Sequence, residues 1–204
     1  MNTKTLRLGV LVSGRGSNME AIIKAGEEGK LNAKVVVVIS DRSEEPALKK
    51  AERKNIKSLY VNPKQFSTKA EYEEELIKIF SSFEVDLIIL AGFMRLLSPR
   101  FLSYYKNKVL NIHPSLLPSF PGLEPQKQAI DYGVKVSGCT VHFVDEGMDT
   151  GPIILQRAVP VLEDDDAESL AERILKEEHD LYWRAIQLIA EGRVTIEGRK
   201  VILK

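Results

Sequence analysis

The sequence predicts an α/β fold: a doubly wound, mostly parallel central sheet flanked by helices, with an antiparallel strand and a C-terminal helix plus small hairpin. Two observations carry this prediction. Short apolar runs rich in β-branched residues, such as Val35–Ile39 and Leu87–Leu90, do not alternate with polar residues, which is typical of strands buried on both faces. Amphipathic helical patterns lie between these runs, and strand alternating with helix indicates a parallel sheet.

Strands and helices alternate regularly in the first half of the chain. Strands are predicted over Leu6–Val12, Ala33–Ser40, Lys57–Val61, Asp86–Ala91 and Val109–His113. Helices are predicted over Asn18–Glu28, Pro46–Lys54 and Thr68–Phe83. Gly29 ends the first helix and a proline begins the second. The third begins with a capping Thr68, which Glu71 follows three residues later.

The pattern changes after Pro114. Leu116–Pro125 holds three prolines and a glycine and is predicted as a loop. The segments that follow are a short helix over Gln126–Tyr132, strands over Val136–Val144 and Ile153–Val161, a long helix over Ala167–Ala190, and short strands over Val194–Glu197 and Arg199–Leu203. The first two of these strands are expected to be antiparallel neighbours, and Gly198 between the last two predicts a terminal hairpin.

Composition argues against several classes of protein. The 204 residues predict one domain, and 29 lysine and arginine residues balance 29 aspartate and glutamate residues. Zero net charge argues against a nucleic-acid partner, and 44% hydrophobic content argues against disorder. A single cysteine and three histidines give a disulfide or a metal site little support. Met1–Leu11 does not resemble a signal peptide and no apolar run is long enough to span a membrane, so we expect a cytoplasmic location.

The first candidate site is the segment Ser13–Asn18 (SGRGSN), between the first strand and the first helix. Ligands of doubly wound sheets bind at the carboxyl ends of the strands, and a glycine loop before a helix N-terminus can bind a phosphate. The segment is neither G-x-G-x-x-G, because Met19 replaces the third glycine, nor a Walker motif. It therefore predicts a mononucleotide or sugar-phosphate loop. The alternative is a tight turn in which Ser17 or Asn18 caps the helix.

Two further segments carry candidate side chains. Asn111 and His113 are two residues apart at the end of a buried strand, so their side chains share one face. The alternative is a structural, hydrogen-bonded histidine. The loop Asp145–Pro152 carries carboxylates, and a carboxylate beside His113 would favour the imidazolium form. Its own residues nevertheless favour a surface turn. Cys139 and His142 lie in a strand pattern, Cys139 is predicted to be a core residue, and His142 is expected to be structural or to support the site from a second layer.

Five segments taken together resemble the phosphoribosylglycinamide formyltransferase (GAR transformylase) family of the formyltransferase superfamily. They are Ser13–Asn18, Ala91–Leu97 (AGFMRLL), Asn111–Pro118 (NIHPSLLP), Thr140–Val144 (TVHFV) and Asp149–Gln156 (DTGPIILQ). The resemblance covers essentially the whole chain. It implies a single formyltransferase domain over residues 1–204, with a mononucleotide-binding half (1–110) and a catalytic, folate-binding half (111–204). It also implies formyl transfer from 10-formyltetrahydrofolate, without a metal, to the amine of glycinamide ribonucleotide in purine biosynthesis.

The resemblance also implies site residues. The catalytic set would be Asn111, His113 and Asp149, which revises the surface-turn interpretation of Asp149. The ribonucleotide would be bound by Gly16, Ser17, Asn18 and Glu178. The folate would be bound by Lys69, Met94, Arg95, Leu96, Leu97, Asn111, Val144, Asp145, Glu146, Gly147, Met148 and Asp149. Two positions depart from the family: Glu124, followed by Pro125, stands where a histidine is common, and Lys69 stands where relatives often have arginine.

Other activities remain as alternatives. A formyltetrahydrofolate hydrolase would share the catalytic set but would carry an additional N-terminal regulatory domain. A methionyl-tRNA formyltransferase would need a tRNA-binding domain and a more basic surface. A non-catalytic nucleotide-binding module of the same fold would not need Asn111, His113 and Asp149 together. The expected partners are small-molecule substrates only, with no nucleic acid and no membrane, in a monomer or homodimer.

Overall fold

The computed structural model describes residues 4–43 and 45–204. Its strands are β1 Leu6–Val12, β2 Ala33–Ser40, β3 Lys57–Tyr60, β4 Leu87–Leu90, β5 Val109–His113, β6 Val136–Phe143, β7 Ile153–Pro160, β8 Val194–Glu197 and β9 Lys200–Leu203. Its α-helices are α1 Ser17–Glu27, α2 Pro46–Arg53, α3 Lys69–Ser82, α4 Pro99–Tyr104, α5 Pro125–Tyr132 and α6 Ala167–Ala190, and a 3₁₀ turn covers Pro63–Gln65.

Strands β1 to β7 form one sheet in the order β3-β2-β1-β4-β5-β6-β7, and β8 and β9 form a separate hairpin. The first five strands pair in parallel, whereas β6 is antiparallel to both β5 and β7. The predicted fold class is therefore confirmed, including the antiparallel strand, the long C-terminal helix and the terminal hairpin.

Apolar layers cover both faces of the sheet. Val10 of β1 belongs to a cluster with side chains of α1 and α6, whereas the next residue, Leu11, belongs to a cluster with side chains of α3 and α4. Because successive side chains of a strand point to opposite faces, a strand between two apolar layers is apolar at every position. This is the physical reason for the uninterrupted apolar runs of β1, β2 and β4.

Local capping determines where several helices begin. Thr68 accepts a hydrogen bond from the Glu71 amide at 3.2 Å, as predicted, while the Glu71 carboxylate accepts from the Ser67 amide at 2.9 Å. Helix α4 was not predicted from the sequence. It is only six residues long, and Ser98 caps it by accepting from the Phe101 amide at 3.2 Å. A helix of six residues is too short to show a clear helical periodicity in the sequence. Ser98-Pro99 is nevertheless a helix-start signal.

Tyr182 of α6 connects the helix layer to the functional edge of the sheet. Its hydroxyl is fully buried and lies 3.0 Å from the carbonyl oxygens of both Leu90 and Leu110. Leu90 is the last residue of β4, and Leu110 directly precedes Asn111 in β5. The contact therefore helps to fix the position from which the segment 91–97 and Asn111 extend. Within residues 4–43 and 45–204, no helix combines the length and the apolarity needed to cross a membrane.

Candidate active site

The carboxyl ends of β1, β4 and β5 lie side by side at one edge of the sheet, as expected for a doubly wound fold. The loops that follow β1 and β4 are joined by two hydrogen bonds. The Ser13 amide donates to the Gly92 carbonyl at 3.2 Å, and the Met94 amide donates to Ser13 Oγ at 3.0 Å. The glycine loop and the segment 91–97 therefore form one continuous wall of the site.

The N-terminus of α1 is open at this edge. Gly16 occupies the N-cap position at φ 71°, and none of the described side chains caps the helix. The alternative in which Ser17 or Asn18 caps it is therefore wrong. A Cβ at position 16 would lie 2.7 Å from the Ala47 Cβ, so both the backbone angle and the packing of α2 require glycine. The free amides of the first turn can receive an anion.

Asn18 and Glu178 form a buried pair beside this helix end. Asn18 Nδ2 donates to Glu178 Oε2 at 2.8 Å, and Glu178 is only 6% exposed. The Oδ1 atom of Asn18 is buried and has no hydrogen-bond partner among the described residues. A buried acceptor of this kind is expected to have a partner, and here a bound ligand would supply it.

Burial raises the pKa of Glu178 to about 6, although the hydrogen bond from Asn18 opposes the shift. The folded chain keeps this proton up to about pH 6, whereas the unfolded chain releases it near the ordinary value of 4.5. The stabilisation contributed by the protonated group is full below pH 4.5 and is lost as the pH rises to about 6. The difference of about 1.5 units between the pKa values of the unfolded and folded states corresponds to a loss of about 2 kcal/mol in the free energy of unfolding at neutral pH.

Glu178→Gln should therefore raise the free energy of unfolding by up to about 2 kcal/mol at pH 8 and change it little at pH 4. The glutamine keeps an oxygen that can accept from Asn18 and removes the buried charge. Urea unfolding at the two pH values measures the effect. Glu172→Gln, an exposed carboxylate on the same helix, serves as the control and should change neither value. Equal effects of Glu178→Gln at both pH values would contradict the prediction.

His113, at the end of β5, lies among acceptors. Its Nδ1 is 3.4 Å from Asp149 Oδ2, and its Nε2 is 2.8 Å from the Phe120 carbonyl oxygen. The side chains of His113 and Asp149 are only 6% and 14% exposed. A carbonyl can only accept, so the proton on Nε2 donates to Phe120, and a ring protonated on both nitrogens satisfies both neighbours. The Nδ1 atom therefore faces the Asp149 carboxylate.

Asp149 lies in a loop whose neighbouring residues 146–148 and 150 are exposed, as predicted for a surface turn, but its own side chain is only 14% exposed. The Gly122 amide donates to its Oδ2 at 2.8 Å, and its backbone has φ 55°, in the left-handed region. Asp145 Oδ1 stabilises the loop by accepting from the Gly147 amide at 3.1 Å and from Thr150 Oγ1 at 2.6 Å. A Cβ at Gly151 would lie 1.7 Å from the Phe143 carbonyl oxygen, so this loop requires glycine there.

His142, which was predicted to be structural or to support the site from a second layer, lies beside Asn111. It pairs with Asn111 across β5 and β6, its Nε2 lies 3.3 Å from Asn111 Nδ2, and it is 3.8 Å from Asp149 Oδ1. Burial lowers the pKa of His142, although the Phe143 carbonyl and Asp149 oppose the shift. Its Nδ1 is 2.8 Å from the Phe143 carbonyl, so the neutral ring can accept from Asn111 at Nε2.

The segment Met94–Leu97 lines open space on the other side of Ser13. Arg95 Nε is 2.8 Å from Asp41 Oδ2, and its guanidinium lies 6.0 Å from the centre of the Tyr72 ring. A cavity of about 220 Å³ is lined by Lys69 together with Arg95, Leu96 and Leu97. Lys69 also lies 3.7 Å from the buried Glu73 carboxylate. The structure thus brings four of the residues expected to bind folate around one cavity, while Met94 lines the neighbouring one.

Apart from Asn111 on β5, the remaining residues expected to bind folate lie in the loop that carries Asp149. Val144 packs on the same apolar cluster as Leu97, which connects this loop to the segment 94–97. Glu146, Gly147 and Met148 are exposed. Glu124, where the family commonly has histidine, is also exposed and has φ 52°. The neighbouring contacts to His113 and Asp149 come from the backbone of Phe120 and Gly122, so they do not depend on the side chain at 124.

Within the part of the chain that the structure describes, no group of three or more His, Cys, Asp or Glu side chains is placed to hold a metal ion. An open helix N-terminus can bind an anion, and the His113–Asp149 pair and the Asn111 amide can donate to a negative charge that develops on a reacting oxygen. Residues 6–186 match the formyl transferase family, and the chain belongs to that family.

The similar proteins have more specific names. Glycinamide ribonucleotide transformylase 1 from Symbiobacterium toebii superposes with a TM-score of 0.96 at 50% identity, over 98% of this chain and 94% of that one. Phosphoribosylglycinamide formyltransferase from Bacillus subtilis is 44% identical over 176 residues, which are 86% of this chain and 90% of the relative. The trifunctional purine biosynthetic protein adenosine-3 of Drosophila melanogaster is 46% identical over 198 residues, or 96% of this chain. The chain spans between 14% and 20% of the length of such trifunctional relatives.

Proposed function

We propose that the chain transfers a formyl group from 10-formyltetrahydrofolate to the amine of N1-(5-phospho-D-ribosyl)glycinamide, as a phosphoribosylglycinamide formyltransferase of purine biosynthesis. The products are the N-formyl compound and tetrahydrofolate. The observation that carries this proposal is the position of two groups at one sheet edge. The open end of α1 follows β1 and the His113–Asp149 pair follows β5, with only β4 between them. Two strand spacings separate them by about 10 Å, which a pentose phosphate bearing a glycinamide arm can span.

Asn111 and His113 are the groups proposed to act on the reacting atoms. When the amine adds to the formyl carbon, negative charge develops on the formyl oxygen. A second hydrogen of the Asn111 amide and the Nδ1 proton of His113, which lies 3.4 Å from Asp149 Oδ2, can donate to that oxygen. Such donors typically contribute a few kcal/mol each. As the bond between the formyl carbon and the folate nitrogen breaks, His113 can pass its Nδ1 proton to that nitrogen and then take up the proton that the amine loses. The 3.4 Å separation between His113 Nδ1 and Asp149 leaves this proton less tightly held than a short ion pair would.

Asp149 and His142 support these two groups. Asp149 stabilises positive charge on His113 by Coulomb attraction at short range. His142 accepts from Asn111 Nδ2, which orients the amide and leaves its other hydrogen for the substrate. Both assignments are supported by the burial of the side chains, because a hydrogen bond or ion pair away from water is stronger than an exposed one.

The ribonucleotide is proposed to bind at the N-terminus of α1. Gly16, Ser17 and Asn18 would hold its phosphate through the free amides of the first turn. Glu178 would contact the substrate beside them, and the unpartnered Asn18 Oδ1 would gain a donor from it. The folate is proposed to bind between the segment 94–97, with Lys69, and the loop 144–149. A partly apolar slot with backbone polar groups at its edges suits a flat heterocycle.

One assay tests the proposed function. The chain is mixed with 10-formyltetrahydrofolate, and release of tetrahydrofolate is followed with and without the glycinamide ribonucleotide. Release that requires the amine is the expected result. Release without the amine would identify a hydrolase, and no release under either condition would identify a non-catalytic binding module. Either of these outcomes would overturn the proposal.

The location, the assembly state and the partners of the chain are also proposed. We infer a cytoplasmic protein that works as a monomer or homodimer on small molecules, without a nucleic-acid or membrane partner. The balance of 29 positive and 29 negative side chains supports this inference, because polyanion partners select basic surfaces. Gel filtration with light scattering distinguishes the two assembly states.

A further inference from the structure

The β8–β9 hairpin lies outside residues 6–186, the part of the chain that matches the family. Val194, Ile196 and Val201 pack against the main apolar core. The open end of the hairpin is closed by the Lys204 amide, which donates to the Arg193 carbonyl at 2.9 Å. The hairpin is therefore fixed to the body of the protein at its base and along one face.

A two-residue turn, Gly198-Arg199, joins the two strands. Gly198 has φ 61°, a conformation that tight hairpin turns require and glycine adopts without strain. The last backbone pair before the turn is Glu197 with Lys200. Because the connection is this short, the backbone of Arg199 has a defined position relative to the core.

The side chain of Arg199 reaches the loop that carries Asp149. Its Nη2 donates to the Thr150 carbonyl oxygen at 3.0 Å. Thr150 directly follows Asp149, whose backbone is in the left-handed region at φ 55°. A non-glycine residue in this region relaxes to other conformations unless its neighbours hold it. Asp145 holds the Thr150 side chain and Arg199 holds its carbonyl, so the residue after Asp149 is fixed from two directions.

We propose that Arg199 is a positioning residue for the transfer reaction: it holds the Thr150 carbonyl and thereby keeps the Asp149 carboxylate against His113. This inference rests on the proposed function, because it assumes that Asp149 assists His113. The chain thus uses a segment beyond its family-matching part to stiffen a loop of the active site. In this proposal Arg199 acts through the loop and not on the reacting atoms.

Three variants test the proposal. Arg199→Met removes the donor and keeps an unbranched side chain, Arg199→Lys keeps a single donor, and Lys200→Met removes the neighbouring exposed charge as a control. Arg199→Met should lower kcat about tenfold, because small displacements of catalytic groups are costly. The KM for the ribonucleotide and the melting temperature should not change, since the α1 site and the hairpin core are untouched. Arg199→Lys should recover part of kcat, and Lys200→Met should resemble the unmodified protein.

Hydrogen exchange measured by mass spectrometry provides an independent readout. Amides 146–150 should exchange faster in Arg199→Met than in Lys200→Met, with the other segments unchanged. Equal kcat and equal exchange in the two variants would overturn the proposal. So would a loss of kcat in Arg199→Met with no change in the exchange of this loop. If the unmodified chain shows no formyl transfer, the proposed function fails, whereas faster exchange confined to 146–150 still supports the contact of Arg199 with this loop.

Discussion

Replacing His113 with alanine should lower kcat for formyl transfer by about three orders of magnitude or more. A positioned general acid–base typically contributes about 10²- to 10⁴-fold, and a donor to a developing oxyanion about 10²- to 10³-fold. His113 is proposed to act in both ways, and the neighbouring His142 is not placed to replace it. Burial lowers the pKa of His142, and its nitrogens face Asn111 and the Phe143 carbonyl. Steady-state kinetics with both substrates measures the loss.

The fold should survive this change at a cost. Alanine leaves the Phe120 carbonyl without its donor from Nε2, which costs about 1 to 3 kcal/mol. His113→Gln provides the matched control, because its amide can still donate to a carbonyl but cannot shuttle a proton. We expect the glutamine variant to be more stable than the alanine variant and nearly as inactive. A rate within tenfold of the unmodified protein in either variant would refute the proposed role of His113.

Replacing Asp149 with asparagine should lower kcat/KM by about 10²- to 10³-fold. Asparagine has nearly the same shape and can still accept from the Gly122 amide, so the loop should keep its conformation. The change removes the negative charge that faces His113 across 3.4 Å. Breaking a largely buried ion pair leaves a charge uncompensated, which costs about 3 to 5 kcal/mol when the burial is complete. Partial exposure of Asp149 brings the expected effect to the lower end of this range.

Kinetics and thermal unfolding of Asp149→Asn should be measured beside Asp164→Asn, which removes an exposed carboxylate from the loop before α6. The Asp164 variant should retain full activity. Equal melting temperatures with a large difference in kcat/KM would assign the effect to charge. A variant at position 149 that keeps more than a tenth of the normal kcat/KM would contradict the role of Asp149.

Much of the site follows from the fold, because parallel strands bring their carboxyl ends to one edge. The glycine loop after β1 and the pair Asn111 and His113 on β5 were therefore predictable as neighbours. Glu178 also leaves a signal in the sequence. It occupies the same helical stripe as Ile174 and Tyr182, four residues before and after it, and a charged residue on an apolar stripe is unusual.

Other parts of the site depend on information that a single sequence does not contain. The proximity of His142 to Asn111 depends on the register between β5 and β6, which non-local pairing determines. Local residues favoured a surface turn for Asp149, because the loop is rich in glycine and polar residues. Only the resemblance to a family indicated its role. The contact of Arg199 with Thr150 joins segments 49 residues apart and has no local signal.

The register of β6 also limits how this sequence can change in evolution. Thr140 pairs with His113 and His142 pairs with Asn111, so two alternate positions of β6 face the site. Inserting or deleting one residue in β6 before Thr140 would turn both side chains to the opposite face and bring Cys139 or Val141 to the substrates. Insertions or deletions in this strand must therefore involve two residues, or a β-bulge must accommodate a single one. The loop around Glu124 contacts the site through its backbone, so its side chains are free to diverge among relatives.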